Sequence, residues 1–242
     1  MEKIVYLLWN SSGRADKQLV RTMLGSVAQA LLAENPAGLT MDLADDDASS
    51  VQVPLPPPPD EPSPFALVSL WINCHDDRTR FEALLKPHAE AIAGYLVTES
   101  IPTDYGDNQW ASRRDWPDGE RSPGVVMLTL MEKPTRLSSD EWYQHWYGTQ
   151  TPMSTDIQPR IRYVRNAVAR PLTPGAPPYR GIVEEAWPSI ETVNDPMRFY
   201  LADGDDDLLA ERMNIMLTSV GAFLDFDRIR LAAMSEYLIK TN

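Results

Sequence analysis

The sequence predicts an α+β fold in which two ferredoxin-like units, each ordered strand–helix–strand–strand–helix–strand, pack their antiparallel sheets face to face. This order occurs twice along the 242 residues, with a proline-rich loop between the second and third strands each time. The strands are apolar on both faces, so each sheet needs a cover on the side away from its helices. We therefore expect an α+β barrel made within one chain, or a comparable two-sheet arrangement with another subunit.

The first unit is predicted to cover residues 1–122. Residues 45–64 are rich in proline, which lacks a backbone donor and fixes φ, so a long surface loop is expected there. Pro87 is expected to kink the second helix. The residues that recur every four positions in the first helix are Leu19, Met23, Val27 and Leu31. The predicted elements are strands 3–9, 39–43, 65–72 and 94–101 and helices 16–34 and 76–93.

The second unit is predicted to cover residues 123–242. A polar, turn-rich segment over 102–124 indicates a linker between the units, and it includes Trp110. A second proline-rich loop, over 171–178, occupies the same place in the element order as the first. The predicted elements are strands 125–131, 161–169, 181–187 and 227–238 and helices 139–150 and 208–224.

Composition and charge exclude several classes of function. The chain has 35 acidic and 22 basic residues, a net charge of −13, which disfavours nucleic acid and anionic membranes as partners. Cys74 is the single cysteine, and three histidines are too few for most histidine-rich metal sites. The sequence contains no phosphate-binding loop, nucleophile elbow or zinc motif. We therefore expect neither a cofactor nor a metal.

The hydropathy of the sequence predicts its cellular location. No apolar run approaches the length of about 18 residues that a membrane span needs, and the apolar run near Met1 is too short for a signal peptide. The expectation is a cytoplasmic protein. Whether copies of the chain associate into a homo-oligomer stays open.

The helix predicted over 139–150 carries the most informative pattern. Ser138 and Glu141 form a capping box at its start. At 100° per residue, four side chains form one stripe that faces the sheet. Pro152 is expected to end or bend the helix. The stripe consists of Trp142, Trp146, Thr149 and Met153.

Two polar residues border this stripe. His145 lies at one edge and Gln150 at the other, and polar groups beside an aromatic wall suit a pocket for a small molecule. The alternative is that Trp142 and Trp146 are core residues and His145 is a half-exposed edge residue, since aromatic stripes are often simply core.

The segment resembles the EthD family of dimeric α+β barrels. That family carries an aromatic residue, a Trp four positions later, then a His, and a Pro two positions after it. The resemblance covers roughly residues 124–238, whereas the first half matches in element order only. The matching residues here are Trp142, Trp146, Gln150, Pro152 and Met153, then Arg162-Tyr163-Val164 and Ala186-Trp187-Pro188.

One position departs from the family. Gln150 stands where the family has histidine, and glutamine cannot titrate. If the family histidine is a general acid or base, that role is lost here or has moved to His145. The loss favours a protein that holds a compound without transforming it.

The resemblance implies a cofactor-independent enzyme of the oxygenase, decarboxylase or cyclase type, acting on a small apolar or aromatic compound in catabolism. In that interpretation Trp142 and Trp146 form the wall of the site, and Tyr163 adds a phenol. His145 is then the acid or base, and Gln150 orients an oxygen. Two alternatives stay open, namely a non-catalytic binding or accessory protein and a structural oligomer without a pocket.

Overall fold

The strands form one continuous sheet that closes on itself. The computed structural model describes residues 1–56, 58 and 61–241. Its strands are β1 (Glu2–Trp9), β2 (Gly38–Leu43), β3 (Ala66–Ile72), β4 (Ala91–Thr103), β5 (Val125–Glu132), β6 (Arg162–Pro171), β7 (Tyr179–Trp187) and β8 (Ile229–Lys240). These eight described strands form a closed antiparallel barrel in the order β1-β3-β2-β8-β5-β7-β6-β4.

Each half of the chain contributes four neighbouring strands. The first half supplies β4-β1-β3-β2 and the second half supplies β8-β5-β7-β6, which is the same ferredoxin-like order. The halves join at two seams, β2 with β8 and β4 with β6. The predicted barrel within one chain is therefore confirmed.

Helices cover the outside of the barrel. The described α-helices are α1 (Lys17–Thr22), α2 (Ala28–Ala33), α3 (Thr79–Leu85), α4 (Ser139–His145), α5 (Thr151–Ile157), α6 (Ile190–Asn194), α7 (Pro196–Phe199) and α8 (Asp206–Phe223). A π-helical turn over Met23–Val27 joins α1 to α2, and another over Trp146–Gln150 joins α4 to α5. In the described part of the chain, no helix combines the length and apolar character that crossing a membrane requires.

The two-sided apolar pattern of the strands reflects this layering. In β1, Ile4, Tyr6 and Leu8 pack in the cluster that contains the helix residues of the first half. Val5 and Leu7 alternate with them and pack in the cluster inside the barrel. All five side chains are fully buried. An eight-stranded barrel is just narrow enough for side chains to fill it, which is why the inward face is also apolar.

Several predicted element boundaries are wrong. The helix predicted over 76–93 is α3 between two short 3-10 turns, and β4 already begins at Ala91. Pro87 lies in the second of these turns, where it stops the helix because it has no backbone N–H. The short helices α6 and α7 were not predicted. Each is only about one turn long, too short for a helical period to show.

The long loops pack on the barrel rather than extending away from it. Val51, Val53 and Leu55, from the first proline-rich loop, pack against the outer core of the second half. Pro57, Pro59 and Asp60 of that predicted loop lie outside the described residues. The segment predicted as a linker also folds back, because the Tyr105 hydroxyl donates to Glu236 on β8 over 2.8 Å.

Candidate functional site

The two tryptophans of the predicted site are buried between helix and sheet. The capping box of α4 is present as predicted. The rings of Trp142 and Trp146 lie 4.9 Å apart, and both side chains are 1% exposed or less. Trp146 Nε1 donates to the Tyr163 hydroxyl over 3.2 Å, so the predicted neighbour on β6 does meet the helix.

The predicted stripe is wrong beyond Trp146. Thr149 is exposed, and the next buried positions are Thr151 and Ser154. The reason is the π-helical turn, which adds a residue to one turn and rotates everything after it. The turn also explains why Pro152 does not end the helix. The usual helical hydrogen bond from residue i to residue i−4 is absent at Thr151. Its backbone N–H and its hydroxyl both donate to the Trp146 carbonyl, five residues earlier.

His145 and Gln150 contact the last helix instead of the sheet. His145 Nε2 lies 3.1 Å from the Ser219 hydroxyl, and its ring stacks on Phe223 at 5.1 Å. Gln150 donates from Nε2 to the Met216 sulfur over 3.2 Å. The predicted site residues thus divide into a group facing the sheet and a pair facing α8. Neither group lines any of three cavities at the surface of the described part of the chain, which are bordered by Trp9, by Lys17 and by Asn35.

Two arginines surround Tyr163, and the sequence reasoning gave neither a role. The Arg160 guanidinium lies 4.2 Å from the centre of the Tyr163 ring, and Arg165 donates to the Thr151 hydroxyl over 3.0 Å. Burial and the nearby Glu185 carboxylate raise the pKa of Tyr163. Tyr163 is therefore held as a neutral phenol that accepts a hydrogen bond from Trp146.

The barrel interior holds a second, unexpected group of charged residues. Asp42 on β2, Glu184 on β7 and Glu236 on β8 each offer a carboxylate oxygen within 4.8 Å of the others. All three side chains are at most 4% exposed. Burial and the two neighbouring carboxylates raise the pKa of Asp42 well above its usual range.

Basic and polar side chains hold two of these carboxylates. Arg162 donates to Glu236 Oε2 over 2.5 Å. Asn166 donates to Glu184 Oε1 over 2.7 Å, and the Lys3 ammonium lies 3.8 Å from the same oxygen. Oxygen-rich groups of this kind suit a hard cation. A mixed group of Glu2, Cys74 and His75 also lies within 4.8 Å, but it is half-exposed.

A cavity of about 560 Å³ opens at one end of the barrel, where β1 and β5 end and β7 and β8 begin. We call it the mouth cavity. Its walls combine aromatic, proline and charged side chains from both halves. Burial raises the pKa of Tyr179 to about 12, so this phenol stays neutral. The residues used below are Trp9, Glu61, Glu132, Pro177, Tyr179, Arg228 and Arg230.

The charged groups of the mouth cavity are paired. Arg228 donates to Glu132 Oε2 over 2.8 Å, and Arg230 donates to Glu61 Oε2 over 2.5 Å. Exposed pairs of this kind contribute little to stability, since solvent screens them. They can therefore rearrange around a bound ligand at small cost.

The sequence held a signal for the interior carboxylates. Asp42, Glu184 and Glu236 each fall within a predicted strand of the barrel, and a charge buried there is costly unless it is paired. Their meeting point was not predictable, because it depends on which strands become neighbours when the barrel closes. The mouth cavity was missed for the same reason.

Comparison with known proteins identifies the fold. No protein-family model and no curated protein sequence matches the chain. A solved structure described as an anthrone oxidase-like protein aligns over 99% of this chain and 94% of that chain, with 10% identity and a TM-score of 0.58. One described as a "putative monooxygenase" from Lactobacillus acidophilus aligns over 99% and 96%, with 9% identity and a TM-score of 0.49. At 10% identity, the first likeness concerns the fold, a dimeric-type α+β barrel.

Proposed function

We propose that the protein is an EthD-like enzyme that binds and transforms a small, largely apolar organic compound, with preference for a planar aromatic one, in the mouth cavity. The observation that carries this proposal is the cavity itself. Its volume of about 560 Å³ falls within the range of about 300–1,000 Å³ typical of small-molecule sites.

The lining favours a flat ligand with one polar edge. Trp9 and Tyr179 offer aromatic faces, and Pro177 adds a rigid apolar surface. Arg228 and Arg230 offer guanidinium groups that match an acidic or carbonyl oxygen on the ligand. In this proposal Trp142 and Trp146 serve as core residues, and His145 fixes α4 against α8.

The cavity also contains a base. Chemistry without a cofactor on such a compound begins with removal of a proton from an acidic C–H or O–H group. Glu132 would accept this proton, because Arg228 holds its carboxylate at the cavity wall. The negative charge left on the compound would then lie beside Arg228 and Arg230, which stabilise it.

The second candidate is a binding or accessory protein that holds the same compound without turnover. The observation that favours it is the pairing of both cavity arginines with carboxylates, Glu132 and Glu61, since these contacts occupy the groups that turnover would require. Gln150, which cannot titrate, favours the same interpretation.

Calorimetric titration with anthrone and 2-naphthol, followed by a turnover assay, tests these proposals. Trp9→Ala should weaken binding by about tenfold or more, because it removes a stacked ring. Trp110→Ala, a change at an exposed tryptophan that does not line the cavity, is the matched control and should bind as the wild type does. Glu132→Gln should keep binding and lose turnover if the protein is an enzyme.

Two results would redirect the assignment. Tight binding with no turnover by the wild type would support the accessory protein. If Trp9→Ala binds normally while Trp146→Phe does not, the ligand occupies the helix–sheet interface, and the mouth cavity is not the site.

A further inference from the structure

The interior carboxylates lie where the two halves of the barrel meet. Asp42 belongs to β2 of the first half, and it pairs directly with Glu236 on β8 of the second half. Glu184 approaches them from β7. None of the three lines the mouth cavity, so this group is separate from the site proposed above.

Asp42 is fully buried, yet within the described residues neither of its oxygens has a hydrogen-bond partner. A buried carboxylate without a donor is costly. The neighbouring basic residues do not offset this cost, because Arg162 and Lys3 contact the other carboxylates of the group.

A neutral oxygen beside the group is also unpartnered. The Asn166 side chain is fully buried and its nitrogen donates to Glu184, whereas its carbonyl oxygen accepts from no described residue. The amide is a rigid plane, so this oxygen lies next to the nitrogen that contacts Glu184. Two different side chains of this region, one acidic and one neutral, thus have oxygen atoms without a hydrogen-bond partner among the described residues.

The charges of the group do not balance. Glu99 joins it through Lys3, whose ammonium lies 2.6 Å from Glu99 and 3.8 Å from Glu184. Arg162 is the other basic residue, and it contacts Glu236 and the half-exposed Asp104 at the rim. Besides Asp104, which water screens, four carboxylates face two basic side chains. If all four were ionised, two negative charges would have no partner, and the neighbouring carboxylates, together with burial, raise the pKa of Asp42.

We propose that Asp42, Glu184 and Glu236 bind one hard divalent cation, of the Ca²⁺, Mg²⁺ or Mn²⁺ class, with the Asn166 carbonyl oxygen as a neutral ligand. Carboxylate and amide oxygens are the ligands that these ions prefer. The two positive charges of the ion would offset the negative charges of the carboxylates that lack a basic partner. The sequence analysis predicted no metal. That prediction rested on the scarcity of cysteine and histidine, which this class of ion does not require.

The bound ion would act as a structural link. It would join β2 to β7 and β8 across the seam between the halves, and so it would stabilise the barrel without taking part in redox chemistry. The competing occupant is a proton shared by Asp42 and Glu184, as in other buried carboxylate pairs.

The test is a titration of the EDTA-treated full chain with Mn²⁺ and Ca²⁺, followed by calorimetry and by the electron paramagnetic resonance of free Mn²⁺. We expect about one ion per chain and a rise in Tm with ion concentration. Tb³⁺ should give luminescence on excitation of tyrosine, because the Tyr105 hydroxyl lies 2.8 Å from Glu236 Oε1.

Asp42→Asn, which keeps the shape of the side chain, should weaken binding by at least about tenfold, and Glu184→Gln should do the same. Two controls should bind as the wild type does. Asp206→Asn removes an exposed acid from an acidic run, and Cys74→Ser disables the half-exposed group with Glu2 and His75.

Two results would overturn the proposal. In the first, the wild type binds no cation in saturable fashion and Asp42→Asn is the more stable protein, so a proton occupies the group. In the second, Asp42→Asn and Glu184→Gln bind the ion as tightly as the wild type, which locates the ion elsewhere. Because the wild-type titration decides the first result, the proposal stays testable even if a variant fails to fold.

Discussion

The two halves of the barrel share a strand order and a π-helical turn, but they fill the space between helix and sheet with different side chains. In the first half, the helix that contains the turn contributes Met23, Val27 and Leu31 to the cluster. In the second half it contains Trp142 and Trp146. The fold therefore requires apolar volume at this interface and places no demand on its chemical identity, which leaves the second half free to carry a hydrogen-bonded aromatic group.

The two π-helical turns correspond to each other residue by residue. Each begins at a buried residue, Met23 or Trp146, and each has glycine as its third residue, Gly25 or Gly148. After the turn the first half continues with Ala28, whereas the second half continues with Thr151, whose hydroxyl bonds the Trp146 carbonyl. Since π-helical turns are often associated with functional sites, the turn in the second half is the more informative of the two.

The largest expected effect comes from separating the halves. Residues 1–122 and 123–242, expressed individually, should aggregate or self-associate, because each alone loses both seams and exposes the apolar inner face of its sheet. Size-exclusion chromatography with circular dichroism measures this, and mixing the halves should restore a folded 1:1 complex. A monomeric half that unfolds cooperatively would show that the two halves are independent domains.

Next in size is the contrast between the residues that begin the two turns. Trp146→Ala should lower the free energy of unfolding by about 3–5 kcal/mol, since it empties a large buried volume. Met23→Ala should cost less, because it removes a smaller side chain with no hydrogen bond to lose. Urea denaturation of both variants gives the two values. Equal costs would mean that neither the larger volume of Trp146 nor its hydrogen bond to Tyr163 adds to stability.

The sequence predicted the layered architecture because burial of both strand faces depends only on local pattern. Ile4 to Trp9 are apolar without alternation, and this alone requires a second cover for the sheet. The π-helical turns were not predictable, since a spacing of four residues fits an ordinary helix equally well up to Trp146. The contact between the carboxylates of Asp42 and Glu236 could not be predicted for a different reason. The two residues lie 194 positions apart and meet only through the β2–β8 seam.

A smaller effect is expected from the hydroxyl that distinguishes the second half. Tyr163→Phe leaves Trp146 Nε1 buried without an acceptor, which should cost about 1–3 kcal/mol of unfolding free energy. Tyr143→Phe, on α4 and half-buried, is the matched control and should change stability by no more than about 0.5 kcal/mol. If both variants behave alike, the Trp146–Tyr163 hydrogen bond does not stabilise the interface.

The smallest expected effect is a gain in stability, and it tests whether the two turns are equivalent. A Cβ atom built on Gly25 or Gly148 would meet no atom within 4 Å, and neither residue requires a positive φ. Alanine loses less conformational entropy than glycine on folding into a helix, so Gly25→Ala and Gly148→Ala should each raise the free energy of unfolding by about 0.5–1 kcal/mol. Gly181→Ala is the opposing control, because its Cβ would lie 2.9 Å from the Trp146 ring and should destabilise the protein. If Gly25→Ala stabilises and Gly148→Ala does not, the second turn must open or shift in the native protein, and the two halves differ in dynamics as well as in side chains.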